Sequence, residues 1–170
     1  SSTPAPPPAP TGRSPARGDR PPAAPTPPTA RLLSRKAQIQ NELANYPQAF
    51  VSYTLAAEYA TELTEKYNAL YHIGRLAVIA DQDASLGIKA LQQYVEFYQD
   101  SENKTLPWAK LRLAQLMYRT GDSFEATLLV GALTTAQVED EEFNLILVSL
   151  LSALKSKEQY NAKPQTEGTQ

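Results

Sequence analysis

Few residues of this sequence are of the types that carry out chemistry. His72 is the only histidine and cysteine is absent, so a metal site with two histidines, a Cys-ligated metal and a disulfide are all excluded. A catalytic triad would need a nucleophile and an acid arranged around His72, and the sequence contains no signature of one. We therefore interpret His72 as a polar group of a surface or groove, with a ligand contact as the alternative.

Acidic side chains and glycines do not form a recognisable site either. Four acids follow one another at Glu139–Glu142. Adjacent acids of this kind usually form the solvated first turn of a helix, where they complement the helix dipole, rather than a catalytic carboxylate pair. The glycines are scattered and form no GxGxxG or P-loop pattern that would bind nucleotide phosphates. The sequence thus predicts neither an enzymatic site nor a cofactor.

Charge and hydropathy argue against two further classes of protein, those that bind nucleic acid and those that span a membrane. The segment through Lys36 has six basic residues and one acidic residue, a net charge of +5, whereas the rest of the chain has ten basic and 17 acidic residues, a net charge of −7. An acidic body argues against nucleic acid as a partner. No run of about 18 apolar residues occurs, so no transmembrane segment is predicted. The length of 170 residues is typical of one domain.

Residues 1–29 form a low-complexity segment rich in proline and alanine. Eleven of the 14 prolines lie here, and no aliphatic side chain is larger than that of alanine. Such a composition offers too little apolar surface to offset the entropy of ordering, so we expect a disordered linker with polyproline character. The prolines at 4, 7 and 10 also have the PxxP spacing of peptides that bind proline-recognising domains. A segment added for expression is a third interpretation.

The start of the chain, SSTPAPPP, has no Met and no apolar leader, so we expect a native leader to be absent or already removed. The segment resembles the tether that follows the lipidated cysteine of mature bacterial lipoproteins. This resemblance implies a lipid-anchored precursor and a location in the bacterial periplasm or at the outer membrane. The residues themselves determine neither the organism, nor the compartment, nor the oligomeric state.

From about residue 30 onwards, apolar residues recur at helical spacing and predict seven helices. We expect a helical domain over 30–160 and a disordered tail over 161–170. Thr29 is predicted to cap the first helix. The predicted helices lie near 30–45, 47–63, 64–80, 83–98, within 107–133 for the fifth and sixth, and over 137–154. The apolar stripe of the first helix is predicted to comprise Leu32, Leu33, Lys36, Ile39 and Leu43.

The predicted helical hairpin of 107–133 organises the chain. Pro107 suits a first helical turn, and Gly121 lies where a helix C-terminus favours a left-handed residue. Asp122 or Ser123 can then cap the next helix. Each helix is only about 18–20 Å long, so the pair cannot bury its apolar faces alone and needs neighbouring helices. The apolar side of the second helix is predicted to comprise Phe124, Leu128, Leu129, Val130 and Leu133.

This hairpin resembles a tetratricopeptide repeat (TPR). The residues that carry the resemblance are Leu113-Ala114, Met117, Gly121-Asp122, Phe124 and Ala126, with Trp108 near the usual aromatic position. The pairs Ile73-Gly74, Leu113-Ala114 and Leu147-Val148 are expected at equivalent helix contacts. Their second spacing equals the TPR period and their first exceeds it by about the length of one polar loop. The resemblance covers about 64–154, is weak over 30–63, and implies an array of antiparallel helical hairpins.

The resemblance also implies a binding site. In TPR arrays the first helix of each pair lines a concave groove that binds a peptide or helix of a partner protein. Arginines of such a groove bind carboxylates, and flat aromatic rings anchor the partner. The alternative interpretation places Leu111 and Tyr71 in the core and leaves the arginines solvated or paired within the protein. Transferred to this sequence, the groove comprises Asn68, Tyr71, His72 and Arg75 on one helix and Trp108, Leu111, Arg112, Gln115 and Arg119 on the next.

We therefore predict an all-α, TPR-like array preceded by a disordered linker, without enzymatic activity. Its predicted function is that of an adaptor or scaffold for a protein partner, in a bacterial envelope assembly. The alternative is a structural subunit buried in a larger complex or homo-oligomer, and an enzyme is disfavoured by the missing chemistry. The Asn and Lys pattern of carboxylate-clamp TPRs is not reproduced, which argues against chaperone C-terminal tails as ligands.

Overall fold

The computed structural model describes residues 2–5, 7, 27–99 and 102–164, and these contain seven α-helices and no strand. The all-α prediction is confirmed for this part of the chain. None of its helices is long and apolar enough to cross a membrane. The helices are α1 (Pro27–Glu42), α2 (Tyr46–Tyr59), α3 (Leu63–Ile79), α4 (Ala84–Tyr98), α5 (Leu106–Arg119), α6 (Ser123–Thr135) and α7 (Glu141–Ala162).

The helices pack as successive hairpins. Each helix contacts the next one along the chain, and in addition α1 contacts α3, α3 contacts α5, and α5 contacts α7. Among the described residues, the even-numbered helices do not contact one another. The odd-numbered helices therefore form one continuous row, and each even-numbered helix packs between two of them.

Aspartate side chains cap the start of three helices, and one glycine ends a fourth. The side chains of Asp83, Asp122 and Asp140 cap α4, α6 and α7, and each accepts the backbone N–H of the third residue further on. At the end of α5, Gly121 has a φ of +93°, and the N–H of Asp122 donates to the carbonyl of Met117 over 2.8 Å. This is the left-handed ending that the sequence predicts for the turn between α5 and α6.

The first helix differs from its prediction in where it begins. It starts at Pro27, inside the predicted linker, since proline is well accepted in a first helical turn. Thr29 consequently lies within α1 rather than at its cap. The rest of the predicted linker, apart from residues 2–5 and 7, falls outside the described residues.

The apolar stripe predicted for α1 is wrong except at Leu33, which packs partly buried against the core. Leu32 and Leu43 are 70% and 76% exposed, whereas Ala30 and Ala37 are buried. The adjoining helix α2 also buries small residues, Ala49 among them. Small side chains allow two helices to approach closely, and the distance between helix axes depends on the side chains at the contact. The packing of α1 therefore uses its alanine face and leaves Leu32 and Ile39 exposed.

The contact pairs predicted from the repeat are buried in α3 and α5 but only partly in α7. Leu147 is buried as predicted, but Val148 is 64% exposed, so the prediction is wrong there. Helix α7 is the last described helix, and no described helix covers the side on which Val148 lies. Helix α7 continues to Ala162, which is two residues into the predicted tail. Residues 165–170 of that tail lie outside the described residues.

Helix α6 buries a narrower stripe than its sequence predicts. Phe124 and Leu128 are exposed, whereas Ala126, Val130 and Leu133 are buried. The buried residues follow a spacing of four and three, which is one helical face. Because α6 packs only against α5 and α7, a single face suffices, and the predicted apolar side is wrong at Phe124 and Leu128.

Candidate binding face on the odd-numbered helices

The residues predicted for the groove lie on two helices that pack side by side, α3 and α5. Apart from the adjacent pairs Tyr71-His72 and Leu111-Arg112, they recur on each helix at intervals of three or four residues and so lie near one helical face. We call this surface the odd-helix face and define it by Asn68, Tyr71, His72 and Arg75 of α3 and Trp108, Arg112, Gln115 and Arg119 of α5. The ninth predicted residue, Leu111, is fully buried and belongs to the core.

Arg112 is the unusual residue of this face, because its side chain is charged and only 8% exposed. Its Nη1 donates to Oε1 of Gln115 over 3.2 Å, and its guanidinium lies 5.1 Å from the centre of the Trp108 ring. Its Nε is buried and has no hydrogen-bond partner. Burial lowers the pKa of Arg112 and so do the nearby cations Arg75 and Arg119, although Arg112 stays charged at neutral pH.

Nearby acidic groups compensate the positive charge of Arg112 only weakly. Tyr71 and Glu142 act in the opposite direction on its pKa, but Glu142 forms no ion pair with it. Within the described residues the ion pairs are those of Arg31 with Glu62 and Glu65, at 3.0 Å each. The cation of Arg112 is therefore buried without a carboxylate partner.

The two other arginines of the face bind neutral oxygen atoms. Nη1 of Arg75 donates to Oδ1 of Asn41 over 3.1 Å, which links α3 to α1. Nη1 of Arg119 donates to the carbonyl of Val78 over 2.8 Å, which links α5 to the end of α3. Each arginine thus has hydrogen-bonding capacity left, and the three together make the centre of the odd-helix face positive.

Aromatic rings enclose His72. It stacks on Tyr53 with ring centres 4.7 Å apart and meets the edge of Tyr71 at 5.5 Å. Its Nδ1 is buried without a hydrogen-bond partner. Burial, and secondarily the charge of Arg75, lowers the pKa of His72 to about 4. His72 is therefore neutral at physiological pH.

Three cavities open along the odd-helix face. One of about 500 Å³ lies between α1, α2 and α3, and a second of about 330 Å³ lies between α3, α4 and the loop that precedes α5; both are lined by Asn68 and His72. The third, of about 340 Å³, lies between α5 and α7 and is mainly apolar. Its lining includes Gln115, Arg119, Leu145 and Ile146.

The sequence interpretation missed the contribution of α7 to this face. Leu145 of α7 is exposed and lines the cavity between α5 and α7. The signal that would have identified it is its offset from the buried stripe, which runs through Phe143, Leu147 and Leu150. Trp108 joins α7 to the face by packing its ring edge-on against Phe143 at 5.3 Å.

Comparison with known proteins shows no family for this chain. No protein-family model matches the chain, and no curated protein matches its sequence. In the described part of the chain, no group of three His, Asp or Glu side chains is arranged to hold a metal ion. The helical-hairpin architecture is a finding, whereas membership of the TPR family stays a prediction from the residues quoted above.

Proposed function

We propose that this protein is a non-enzymatic adaptor or scaffold whose odd-helix face binds a peptide or helix of a protein partner. The observation that carries the proposal is the side-by-side contact of α3 and α5 within the row of odd-numbered helices. It joins two stripes of polar and aromatic side chains into one surface, with cavities along its length. Pockets between helices are common sites for ligands.

The composition of the face supports a protein partner. Arginine and the large aromatic residues dominate the binding energy of protein interfaces, because they combine apolar contact area with directed hydrogen bonds. On the odd-helix face, Arg112 packs against the ring of Trp108, and Tyr71 lies near Arg112. If the resemblance to TPR proteins reflects kinship, the same face is the one that those proteins use for peptides.

An affinity pull-down from the native host tests this proposal. The double variant Arg75→Glu with Arg119→Glu reverses two charges of the face, and we expect it to lose the partner that the wild-type chain captures. The variant Lys89→Glu with Lys155→Glu makes the same charge change away from the face and should retain the partner. Circular dichroism checks that both variants keep their helices. Equal capture by the two variants would refute a role of the face.

We further place the adaptor in a bacterial envelope assembly, and this rests only on the resemblance of residues 1–29 to lipoprotein tethers. Cell fractionation with an antibody against the helical domain tests it. Recovery in the envelope fraction supports the location, and recovery in the cytoplasmic fraction contradicts it.

A second candidate function is that of a structural subunit in a homo-oligomer or larger complex. The observation that favours it is the exposure of Leu32 and Ile39 on one face of α1 and of Leu43 directly after its end. An unpartnered apolar helix face is typical of an interaction surface. Light scattering after size-exclusion chromatography separates the two functions, because an adaptor is expected as a monomer and a structural subunit as an obligate oligomer.

A further inference from the structure

The guanidinium of Arg112 is held in the protein with an incomplete set of partners. Gln115 accepts from one of its nitrogens, Trp108 lies 5.1 Å from it, and its Nε donates to no atom. A buried charge is unfavourable unless a counter-charge and hydrogen bonds compensate for it. The ring of Trp108 compensates in part, since a cation above an aromatic face is attracted to it. The remaining partner that this group lacks is a carboxylate.

The donor of this guanidinium that a partner can reach is its second terminal nitrogen, Nη2, because Nε is itself buried in the protein. A carboxylate accepts charge-assisted hydrogen bonds from the nitrogens of arginine, and such bonds are stronger than those between neutral groups. Gln115 accepts from Nη1 and Nε is buried without an acceptor, which leaves Nη2 as the nitrogen that a carboxylate can contact end-on. A carboxylate on the odd-helix face would therefore bind Arg112 through this one nitrogen and offset part of its buried charge.

We infer that the odd-helix face binds an acidic segment of a partner protein, with the side-chain carboxylate of a Glu or Asp on Arg112 and further acidic side chains towards Arg75 and Arg119. This inference rests on the function proposed above and specifies its ligand. It assigns Arg112 the role of the specificity-determining residue.

Charge complementarity favours an acidic segment over other partners. Three arginines lie together on the face, and Glu142 is the acidic group that acts on Arg112 from the described residues. The chain beyond Lys36 has a net charge of −7, so this positive surface is an exception on an acidic body. An acidic segment is attracted to the face and repelled by its surroundings, which fixes where it binds.

The spread of the arginines favours several side-chain carboxylates over a single terminal one. Arg112 and Arg119 are two helical turns apart, about 10 Å along α5, and Arg75 lies on the neighbouring helix. A terminal carboxylate would satisfy only one of them. Next to Arg119, the apolar cavity of about 340 Å³ between α5 and α7 has room for an aliphatic side chain. The segment that fits therefore has acidic residues beside an aliphatic one.

Matched synthetic peptides test the inference. Acetylated and amidated peptides that carry two or three Glu or Asp residues beside a Leu are each paired with the same sequence carrying Gln or Asn, and a further set carries Gln with a free C-terminal carboxylate. Their dissociation constants for the full chain are measured by fluorescence anisotropy. We expect the acidic member to bind about tenfold tighter or more, as hydrogen bonds to charged groups allow, with a preference that falls as salt rises.

Variants assign the preference to Arg112. Arg112→Met keeps most of the side-chain volume and should weaken binding of the acidic peptides about 30-fold, which corresponds to about 2 kcal/mol. Its free form should be at least as resistant to heat as the wild type, because an uncompensated buried charge is removed. Arg31→Met removes an exposed arginine that is paired with Glu62 and Glu65, and should leave the preference unchanged. If Arg112→Met does not fold, the double variant Arg75→Gln with Arg119→Gln replaces it, and we expect a smaller loss of affinity for the acidic peptides.

The outcomes separate this inference from the function on which it rests. Binding of the Glu and Gln members with equal affinity would overturn the acidic ligand and leave a peptide-binding face. A preference for the peptides with a free C-terminal carboxylate would overturn the side-chain ligand. A preference that survives in Arg112→Met and in the Arg75→Gln, Arg119→Gln variant would overturn the role of the arginines. Failure of every peptide to bind would count against both proposals.

Discussion

Gly87 of α4 lies directly against Ala77 of α3, and a Cβ atom added to Gly87 would come within 2.5 Å of the Ala77 Cβ. The same added atom would lie 2.9 Å from Cδ1 of Leu116 in α5. Three helices therefore meet at this glycine. Because α3 and α5 carry the odd-helix face, the absence of a side chain at Gly87 helps to hold that face together.

We expect Gly87→Ala to lower the free energy of unfolding by about 1–3 kcal/mol, the usual effect of overpacking a core. The contact is with a Cβ atom of another helix, which cannot turn away as a long side chain can. Chemical denaturation followed by circular dichroism measures the change.

Gly131→Ala is the matched control for this substitution. Gly131 lies within α6, and an added Cβ atom would meet nothing within 4 Å. Alanine should therefore raise the free energy of unfolding by about 0.5–1 kcal/mol, because it favours a helix interior over glycine. Equal effects of the two substitutions would contradict the close contact between α3 and α4.

Replacement of Gly121 tests the turn between α5 and α6. Its φ of +93° lies in the region that residues with a Cβ atom rarely adopt, although nothing surrounds the position within 4 Å. We expect Gly121→Val to lower the free energy of unfolding by about 1 kcal/mol or more for backbone reasons alone. Thermal denaturation provides the measurement, and an unchanged midpoint would rule out the left-handed turn.

The stability of the protein should fall as the pH is lowered from about 6.5 to about 4. The pKa of His72 is about 4 in the folded chain, against 6.5 for an unperturbed histidine. Between these values the unfolded chain binds a proton that the folded chain does not, so protonation favours unfolding. The loss is about 1.4 kcal/mol per pH unit over this interval, or about 2 kcal/mol between pH 7 and pH 5.

His72→Phe separates this effect from that of the carboxylates, which also titrate in acid. Phenylalanine can keep the stacking on Tyr53 and cannot be protonated. Urea denaturation of both proteins at several pH values should show a steeper decline for the wild type than for the variant. Parallel curves would show that His72 is not shielded in the folded state.

The exposed aliphatic residues at α1 allow a test of whether the protein associates with itself through this helix. Leu32→Lys with Leu43→Lys should leave the free energy of unfolding within about 0.5 kcal/mol of the wild-type value, since exposed positions contribute little to the core. If the protein is an oligomer through α1, the same variant should become monomeric in light scattering. Marked destabilisation of a monomeric protein would instead place these residues in the core, against their exposure.

Local signals in the sequence were sufficient for the helices and several of their ends. Asp122 as a cap and Gly121 as a left-handed residue follow from backbone hydrogen bonding within one turn, and both are confirmed. The buried pairs Ile73-Gly74 and Leu113-Ala114 follow from helical periodicity. Such features depend on neighbours a few residues away, which the sequence contains explicitly.

The face that each helix buries was decided by its neighbours. In α1 two helical stripes compete, and hydrophobicity alone favoured the one through Leu32 and Leu43, whereas the fold buries Ala30 and Ala37. The same uncertainty applies to Val148, whose burial depends on whether another helix follows. Side-chain hydrophobicity is a property of the residue, but burial depends on how closely a second helix can approach.

The sequence by itself determined an all-α chain, the ends of several helices and the residue types available for binding. Only the tertiary structure decided that Arg112 is buried without a carboxylate and that Leu145 of α7 lies in a cavity beside Arg119. Helix formation depends on hydrogen bonds and spacing within about four residues, so a linear sequence is informative about it. Burial and charge compensation depend on side chains from helices distant in sequence, and these come together only when the helices pack.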